Sequence, residues 1–369
     1  MNRFATYLKQ KDLLIPLYYW SVFLIIYILL FQLFPGKFYS LASYLTQWDG
    51  EHYLSIARDG YQMYPCTQNI SFTCGNIGWF PFYPLVGKVI SYTGLNHQYS
   101  LILVSWLSLL GAMIILYRLV ILKFDKQIAI ASLLSLIFFP VSFYFMAIFP
   151  YAFFLLIVTS IFYCIEIKKL IWVIPLTGIL AVTYPSGSII GFVLLYQLIK
   201  EWKNYNLSEK LSLISAMIAI GVAIMIYFSY YWYKFDNFFQ YLDFQSQPYY
   251  AHRMRFPLIT IYEALSHLRI IQAVPISIIF ATVSVLIFYS RKIPASWQIY
   301  MFGILLFTPT MGTCACYYRH ILVAFPLFAM IGLSYRSPKR KYLFLLYLIV
   351  GASLMWLVFL DRFKTGLLM

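Results

Sequence analysis

Apolar runs of roughly 17–25 residues recur from one end of the chain to the other, each long enough to cross a hydrocarbon core as a helix. The first covers 12–34, and a long, more polar segment, 35–96, follows it. Further runs fall near 98–121, 128–148, 150–166, 170–185, 186–199, 211–233, 271–290, 296–312, 319–335 and 342–360, which predicts about eleven crossings. The third to sixth are short and bend at Pro150 and Pro185, so they predict helical hairpins with their tips at the outer face. Residues 79–94 are apolar, but Pro81 and Pro84 mark them as a packed or interfacial segment. Only 35–78 and 234–270 are too polar for lipid. No internal repeat, soluble domain or low-complexity linker is visible. The expectation is an all-α integral membrane protein, one polytopic helical bundle over 1–369, with loops 35–96 and 234–270 on the outer side.

Composition sharpens this picture. Hydrophobic residues make up 62% of the chain and charged residues 11%, whereas soluble domains are near half apolar and a quarter charged. Mean hydropathy is +0.78. Aromatics reach 21% and gather near span ends, as interfacial belts do. The net charge of +15 does not point to nucleic acid. Its basic residues sit in short clusters between spans: Arg3/Lys9/Lys11, Arg118/Lys123/Lys126, Lys168/Lys169, Lys200/Lys203/Lys210, Arg291/Lys292 and Arg336/Lys339/Arg340/Lys341. By the positive-inside rule they put the N-terminus in the cytoplasm and the polar loops outside. The first apolar run is long and lacks a small-residue cleavage site, so no cleavable signal is expected.

The five cysteines do not read as a metal site. Cys66 and Cys74 share the first outer loop, where either a bridge or free thiols is open. Cys314 and Cys316 lie in a late outer loop, and Cys164 within a span. Asn69-Ile70-Ser71 is a glycosylation sequon on the outer side, of consequence only in a eukaryotic host.

Acids are scarce, 12 against 27 basic residues, yet Asp49, Glu51 and Asp59 crowd one stretch beside the first crossing. Intramembrane and juxtamembrane carboxylates mark chemistry or ion movement. Read as a helix, 47–61 puts Asp49, His52, Tyr53, Ile56, Ala57 and Gly60 on one face, and Glu51, Ser55, Arg58, Asp59 and Gln62 on the other. Asp49 then faces the bundle, where partial desolvation suits a general base. Two other readings stand beside this one. Thr46-x-x-Asp49 fits a capping box, and Asp49-x-Glu51 invites a divalent metal. His52 fits a hydrogen-bonding neighbour of Asp49 or a phosphate contact.

Trp48-Asp49-Gly50-x-His52-Tyr53-x-x-Ile56-Ala57-x-x-Gly60-Tyr61, followed by Trp79-Phe80-Pro81-Phe82-Tyr83-Pro84-Leu85, resembles the PIG-V mannosyltransferase family of GT-C polytopic glycosyltransferases. Weaker echoes extend over most of the chain: Phe139-Pro140-Val141-Ser142 leading into Pro150-Tyr151, Thr183-x-x-x-Gly187, and Tyr318-Arg319-x-x-Leu322-x-x-Phe325-Pro326-Leu327-Phe328. The resemblance implies a membrane glycosyltransferase that moves a sugar, mannose in the family, from a polyprenyl-phosphate donor to a lipid-linked, glycan or protein acceptor at the extracytoplasmic face. It implies Asp49 as the catalytic base rather than Glu51. Two positions depart from the family: Ala152-Phe153-Phe154 is apolar where a small polar residue and a glutamate are usual, and Tyr184 stands where an arginine is common.

A lipid-phosphate donor needs no metal or other cofactor if the protein neutralises the departing phosphate. Arg319, next to His320, is the first candidate for that task, with Arg253 and Arg255 in His252-Arg253-Met254-Arg255 second. Each also reads as an interfacial arginine on lipid head groups. Asp236, Asp243 and Gln245 are candidates for holding sugar hydroxyls, and Trp48, Tyr53, Tyr61 and Trp79 for stacking on the sugar. The expected reaction inverts the anomeric centre. The expected partners are donor, acceptor and membrane lipids, with no nucleic acid. The expected location is a prokaryotic plasma membrane, or the endoplasmic reticulum in a eukaryote. A secondary transporter would need ionisable groups at mid-bilayer, and no span centre carries a convincing one. A surface-glycan polymerase or ligase would rely on arginines, and a non-catalytic subunit of the same fold is the remaining alternative.

Overall fold

The computed structural model describes residues 11–34, 38–66, 72–248, 250, 252–266, 270–314 and 316–357. Arg3, Lys9, the Asn69-Ile70-Ser71 sequon and the end of the last expected span, 358–360, lie outside them. Described in chain order, the helices are α1 (Lys11–Leu33), α2 (Leu41–Leu45), α3 (Asp49–Asp59), α4 (Phe82–Ser91), α5 (His97–Lys123), α6 (Lys126–Ile137), α7 (Tyr151–Glu166), α8 (Val173–Ala181), α9 (Ile190–Lys200), α10 (Leu207–Phe235), α11 (Gln240–Gln245), α12 (Pro257–Ser266), α13 (Ile270–Tyr289), α14 (Ala295–Thr310), α15 (Tyr317–His320), α16 (Phe325–Leu333) and α17 (Pro338–Leu357). Between α3 and α4 a small antiparallel hairpin pairs β1 (Met63–Pro65) with β2 (Thr73–Gly75).

The protein is thus an all-α membrane protein. Among the described residues, four helices are long and apolar enough to span a bilayer: Leu13–Leu33, His97–Lys123, Leu207–Phe235 and Pro338–Leu357. A fifth results if Tyr317–Val323 and Phe325–Arg336, bent by 81° against each other, count together. The apolar helices between α5 and α10 are shorter, because prolines interrupt the runs. Pro140 follows the end of α6, Pro150 caps α7, and Pro185 opens a 3-10 turn before α9. The spans differ in environment. In α5, 56% of the apolar window is buried, against 28% in α1 and α10 and 17% in α17. Thus α5 runs through the bundle interior, while the other three present broad apolar faces outward.

Local chemistry sets several boundaries. Asn96 and Asp125 cap α5 and α6 by accepting from Tyr99 N–H and Ile128 N–H. Asn206 and Glu209 form a reciprocal capping box at the start of α10. Residues 141–150, one 3-10 turn at Ser142–Phe145 within otherwise irregular backbone, are buried throughout, the condition under which such backbone survives at membrane depth. This segment is the floor of the site. Ile148 N–H donates to Leu45 C=O at 2.9 Å, and a Cβ on Gly50 would meet Ile148 O at 3.3 Å. The start of α3 is thereby pressed onto it.

The polar segments between spans are tied down by covalent and apolar contacts. Cys66 and Cys74 are joined by a disulfide, which decides between the two states left open for them. Cys164, Cys314 and Cys316 are free thiols. A second apolar cluster of Ile56, Tyr61, Ile77, Phe80, Tyr227, Tyr231 and Phe244 ties the first outer loop to α10 and α11. Residues 79–94 contain the helix α4, packed on α5 through Tyr83, whose hydroxyl donates to Leu101 C=O at 3.1 Å.

Candidate functional site

The helix α3 starts at Asp49, not at Thr46. Trp48 occupies the N-cap position without a side-chain cap bond, and the Thr46 hydroxyl donates instead to Ala42 C=O at 2.6 Å. The capping-box reading of Thr46 and Asp49 is therefore incorrect. Asp49 is the first helical residue, and its Oδ2 lies 2.9 Å from an Arg319 terminal nitrogen. That ion pair ties the start of α3 to the bent α15–α16 segment. The side chains are 15% (Arg319) and 27% (Asp49) exposed, so the pair is sheltered but reachable.

Trp48, immediately before the carboxylate, has φ 54° and ψ −123°. A bulky side chain in that region costs of order 1–3 kcal/mol, and such residues cluster at functional sites. Its half-buried ring packs against the main core. Glu51 is exposed, as expected, and diverges from the Asp49–Arg319 pair. Among the described residues no three His, Cys, Asp or Glu side chains gather to hold a metal ion.

Arg319 carries a further clue. Its Nε is buried and has no hydrogen-bond partner, which is uncommon enough to require a reason. The guanidinium carbon sits 5.7 Å from the Phe149 ring. A single carboxylate contact leaves most of a five-donor fork unspent. Such a group is suited to a second, multidentate anion.

Around this pair the structure gathers groups from four separate regions. His320 Nδ1 lies 2.7 Å from the Tyr184 hydroxyl. The position read as a lost arginine contact is thus occupied by a tyrosine that holds the neighbour of Arg319. Tyr151 packs nearby, its ring centroid 5.7 Å from that of Tyr184 with the planes inclined by 59°. His52 stacks face to face on Trp79 at 3.6 Å, tilted by 15°. One face of Trp79 is therefore covered by His52 rather than open to a sugar. Burial holds the His52 imidazole below its ordinary proton affinity, and Asp49 only partly offsets this. Tyr53 is 2% exposed and packs edge-on against Tyr83. Tyr61 is likewise buried, its hydroxyl donating to Trp79 C=O at 2.6 Å. Both support the site from behind.

The second outer segment contributes Gln245 and His252. The Gln245 amide donates to Gly78 C=O at 2.9 Å, and its oxygen lies 2.7 Å from His252 Nδ1. The Gln245 amide thus links Gly78 to His252, with one N–H donor and one oxygen lone pair engaged in doing so. Asp243 accepts from Asn237 at 2.8 Å, and Asp236 ends α10 in a left-handed conformation. Arg253 and Arg255 are exposed. Their backbone N–H groups donate to Met311 and Thr310 C=O, and Arg255 pairs with Glu263 at 2.6 Å. Each arginine meets one carboxylate, but the Arg255–Glu263 pair is about half exposed, whereas Arg319 is sheltered with a buried, unpartnered Nε. His252 and Tyr184 were not singled out as site residues from the sequence. The signal for His252 was its place among only five histidines, beside Gln245 in the outer segment.

No family model matches this chain, and no curated protein matches it.

Proposed function

We propose that this chain is a membrane glycosyltransferase that moves a sugar from a polyprenyl-phosphate donor to a hydroxyl acceptor at the extracytoplasmic face. Mannose is the sugar that the resemblance to PIG-V enzymes implies, and the acceptor is a lipid-linked glycan, a surface glycan or a protein. The observation that carries this reading is the sheltered Asp49–Arg319 pair with its unspent Arg319 donors. A departing lipid phosphate is a dianion that needs multidentate cationic donors, and an acceptor hydroxyl needs a base on the opposite side of the anomeric carbon.

The two roles are coupled. The donor phosphate competes with Asp49 for the Arg319 guanidinium, and its arrival frees the carboxylate to take the acceptor proton. The acceptor oxygen then bonds to the anomeric carbon as the bond to phosphate oxygen breaks, and the leaving charge settles on Arg319. His320, held by Tyr184, stands beside this anion site. The accompanying topology is the expected one of about eleven crossings, with hairpins at 150–199 and the N-terminus in the cytoplasm.

The test is transfer from labelled polyprenyl-phosphate-mannose in membranes containing the chain, with a chelator present. Chain-dependent transfer is expected, and Asp49→Asn, which keeps a contact for Arg319, should lower it by about 10²-fold or more. Full activity in Asp49→Asn would remove Asp49 as base. Uptake of label without transfer would replace the enzyme reading with a transporter.

A further inference from the structure

His252 is positioned with unusual definition for an outer-loop histidine. Its backbone N–H donates to Gln245 C=O at 3.0 Å, and its Nδ1 lies 2.7 Å from the Gln245 side-chain oxygen. The orientation of that amide is settled by its other end. Gly78 C=O can only accept, so the group 2.9 Å from it is the NH₂. The Gln245 oxygen, itself an acceptor, then faces Nδ1, and Nδ1 must carry the hydrogen. A neutral imidazole protonated at Nδ1 has a bare lone pair at Nε2. No residue among those described hydrogen-bonds to that Nε2, and it is not among the fully buried atoms. Gly78 makes the arrangement possible, because a Cβ there would come within 2.9 Å of the Gln245 amide nitrogen and 2.8 Å of the Phe244 ring.

We infer that His252 accepts a hydrogen bond from a hydroxyl of the bound sugar through Nε2, and that Gln245 is the residue that fixes its tautomer for this task. The inference rests on the glycosyl-transfer reading. It gives the site a neutral acceptor beside the cation: Arg319 takes the phosphate, and His252 takes a hydroxyl of the sugar attached to it. The groups facing the ring favour its neutral form. Arg319 and His320 approach from the bent segment, the Tyr250 ring lies 6.4 Å away, and Arg253 follows in the chain. Burial and the Arg319 charge both lower the proton affinity of His252. Among nearby acids, Asp49 is engaged by Arg319, Glu263 by Arg255, and Asp243 accepts from Asn237.

Two measurements test this. Nitrogen-15 spectra of histidine-labelled wild-type protein, assigned by difference against His252→Gln, should show His252 as the Nδ1–H tautomer; an Nε2–H tautomer overturns the inference and needs no activity. The pH profile of transfer from polyprenyl-phosphate-mannose is the second. Gln245→Glu sets a carboxylate against Nδ1–H, stabilises the protonated ring, and should move the acid limb of kcat/KM up by about one pH unit. His252→Gln should raise KM for the donor about five- to tenfold, the worth of one neutral hydrogen bond, with a smaller change in kcat. An unmoved acid limb in Gln245→Glu, with wild-type KM in His252→Gln, overturns the inference while leaving transfer itself intact. A wild-type chain that transfers nothing defeats the glycosyl-transfer reading instead, and the tautomer still reports on the ring.

Discussion

Arg319 is a sheltered cation whose carboxylate partner is Asp49, and that relation changes what a mutation at Asp49 should do. From the sequence, Asp49→Ala is expected to remove activity and leave folding intact. The ion pair adds a structural consequence. Removing one partner of a sheltered pair strands the other charge, at a cost of about 2–4 kcal/mol. Asp49→Ala and Arg319→Met should each lower the melting temperature in detergent, and the double variant should lower it by less than the sum of the two. A coupling energy on the order of 1–3 kcal/mol is expected between them. Strict additivity would show that the two side chains do not stabilise one another. Asp49→Asn leaves Arg319 a neutral acceptor and should lose less stability than Asp49→Ala, which is why it is the better probe of proton transfer.

At the scale of elements, the hydrophobic pattern was informative where runs are long and uninterrupted. The runs 98–121 and 211–233 became α5 and α10 with ends shifted by only a few residues. It was less informative where prolines cut the runs, because hydropathy measures apolar length and not whether a buried stretch outside the α-helices, such as 141–150, fills the gap. The site was half legible for a related reason. Asp49, Arg319 and His320 stand out as polar residues in an apolar chain, but their contacts join segments remote in sequence, and no local periodicity reports such a contact. Tyr184 was read as the loss of an arginine, whereas the structure has it bonded to His320. The Cys66–Cys74 hairpin is the element whose role is most readily tested. Thr73 N–H donates to the Gln247 side-chain oxygen at 2.7 Å, so the hairpin bridges the two outer segments. Closing so short a loop stabilises by about 2–3 kcal/mol in the chain-entropy account. Replacing both cysteines with serine should therefore speed proteolytic cleavage within residues 62–76 while the spans stay protected. Unchanged cleavage there would show that the hairpin holds without its bridge.

For the whole molecule, the contacts sort into two ends. Asp49–Arg319, Tyr184–His320 and the Arg253–Met311 backbone bond join residues at one end. At the other, Lys123 pairs with Glu166, and the Tyr289 and Ser334 hydroxyls meet at 2.6 Å. The basic turns belong to this second end, and the disulfide and candidate site to the first. The positive-inside rule predicts that the second end faces the cytoplasm and the site end the outside. The span α10 tests it directly, since exposed Lys203 and Asp243 lie beyond its opposite ends. In a chain with Cys164, Cys314 and Cys316 changed to alanine and the bridge kept, Asp243→Cys should react with an impermeant maleimide on intact cells. Lys203→Cys should react only after permeabilisation. The reverse pattern would turn the bundle over and put the Asp49 site in the cytoplasm, where a nucleotide sugar rather than a lipid-phosphate sugar would be the accessible donor. Labelling of both on intact cells would mean that α10 does not cross the membrane at all, despite its 29 residues.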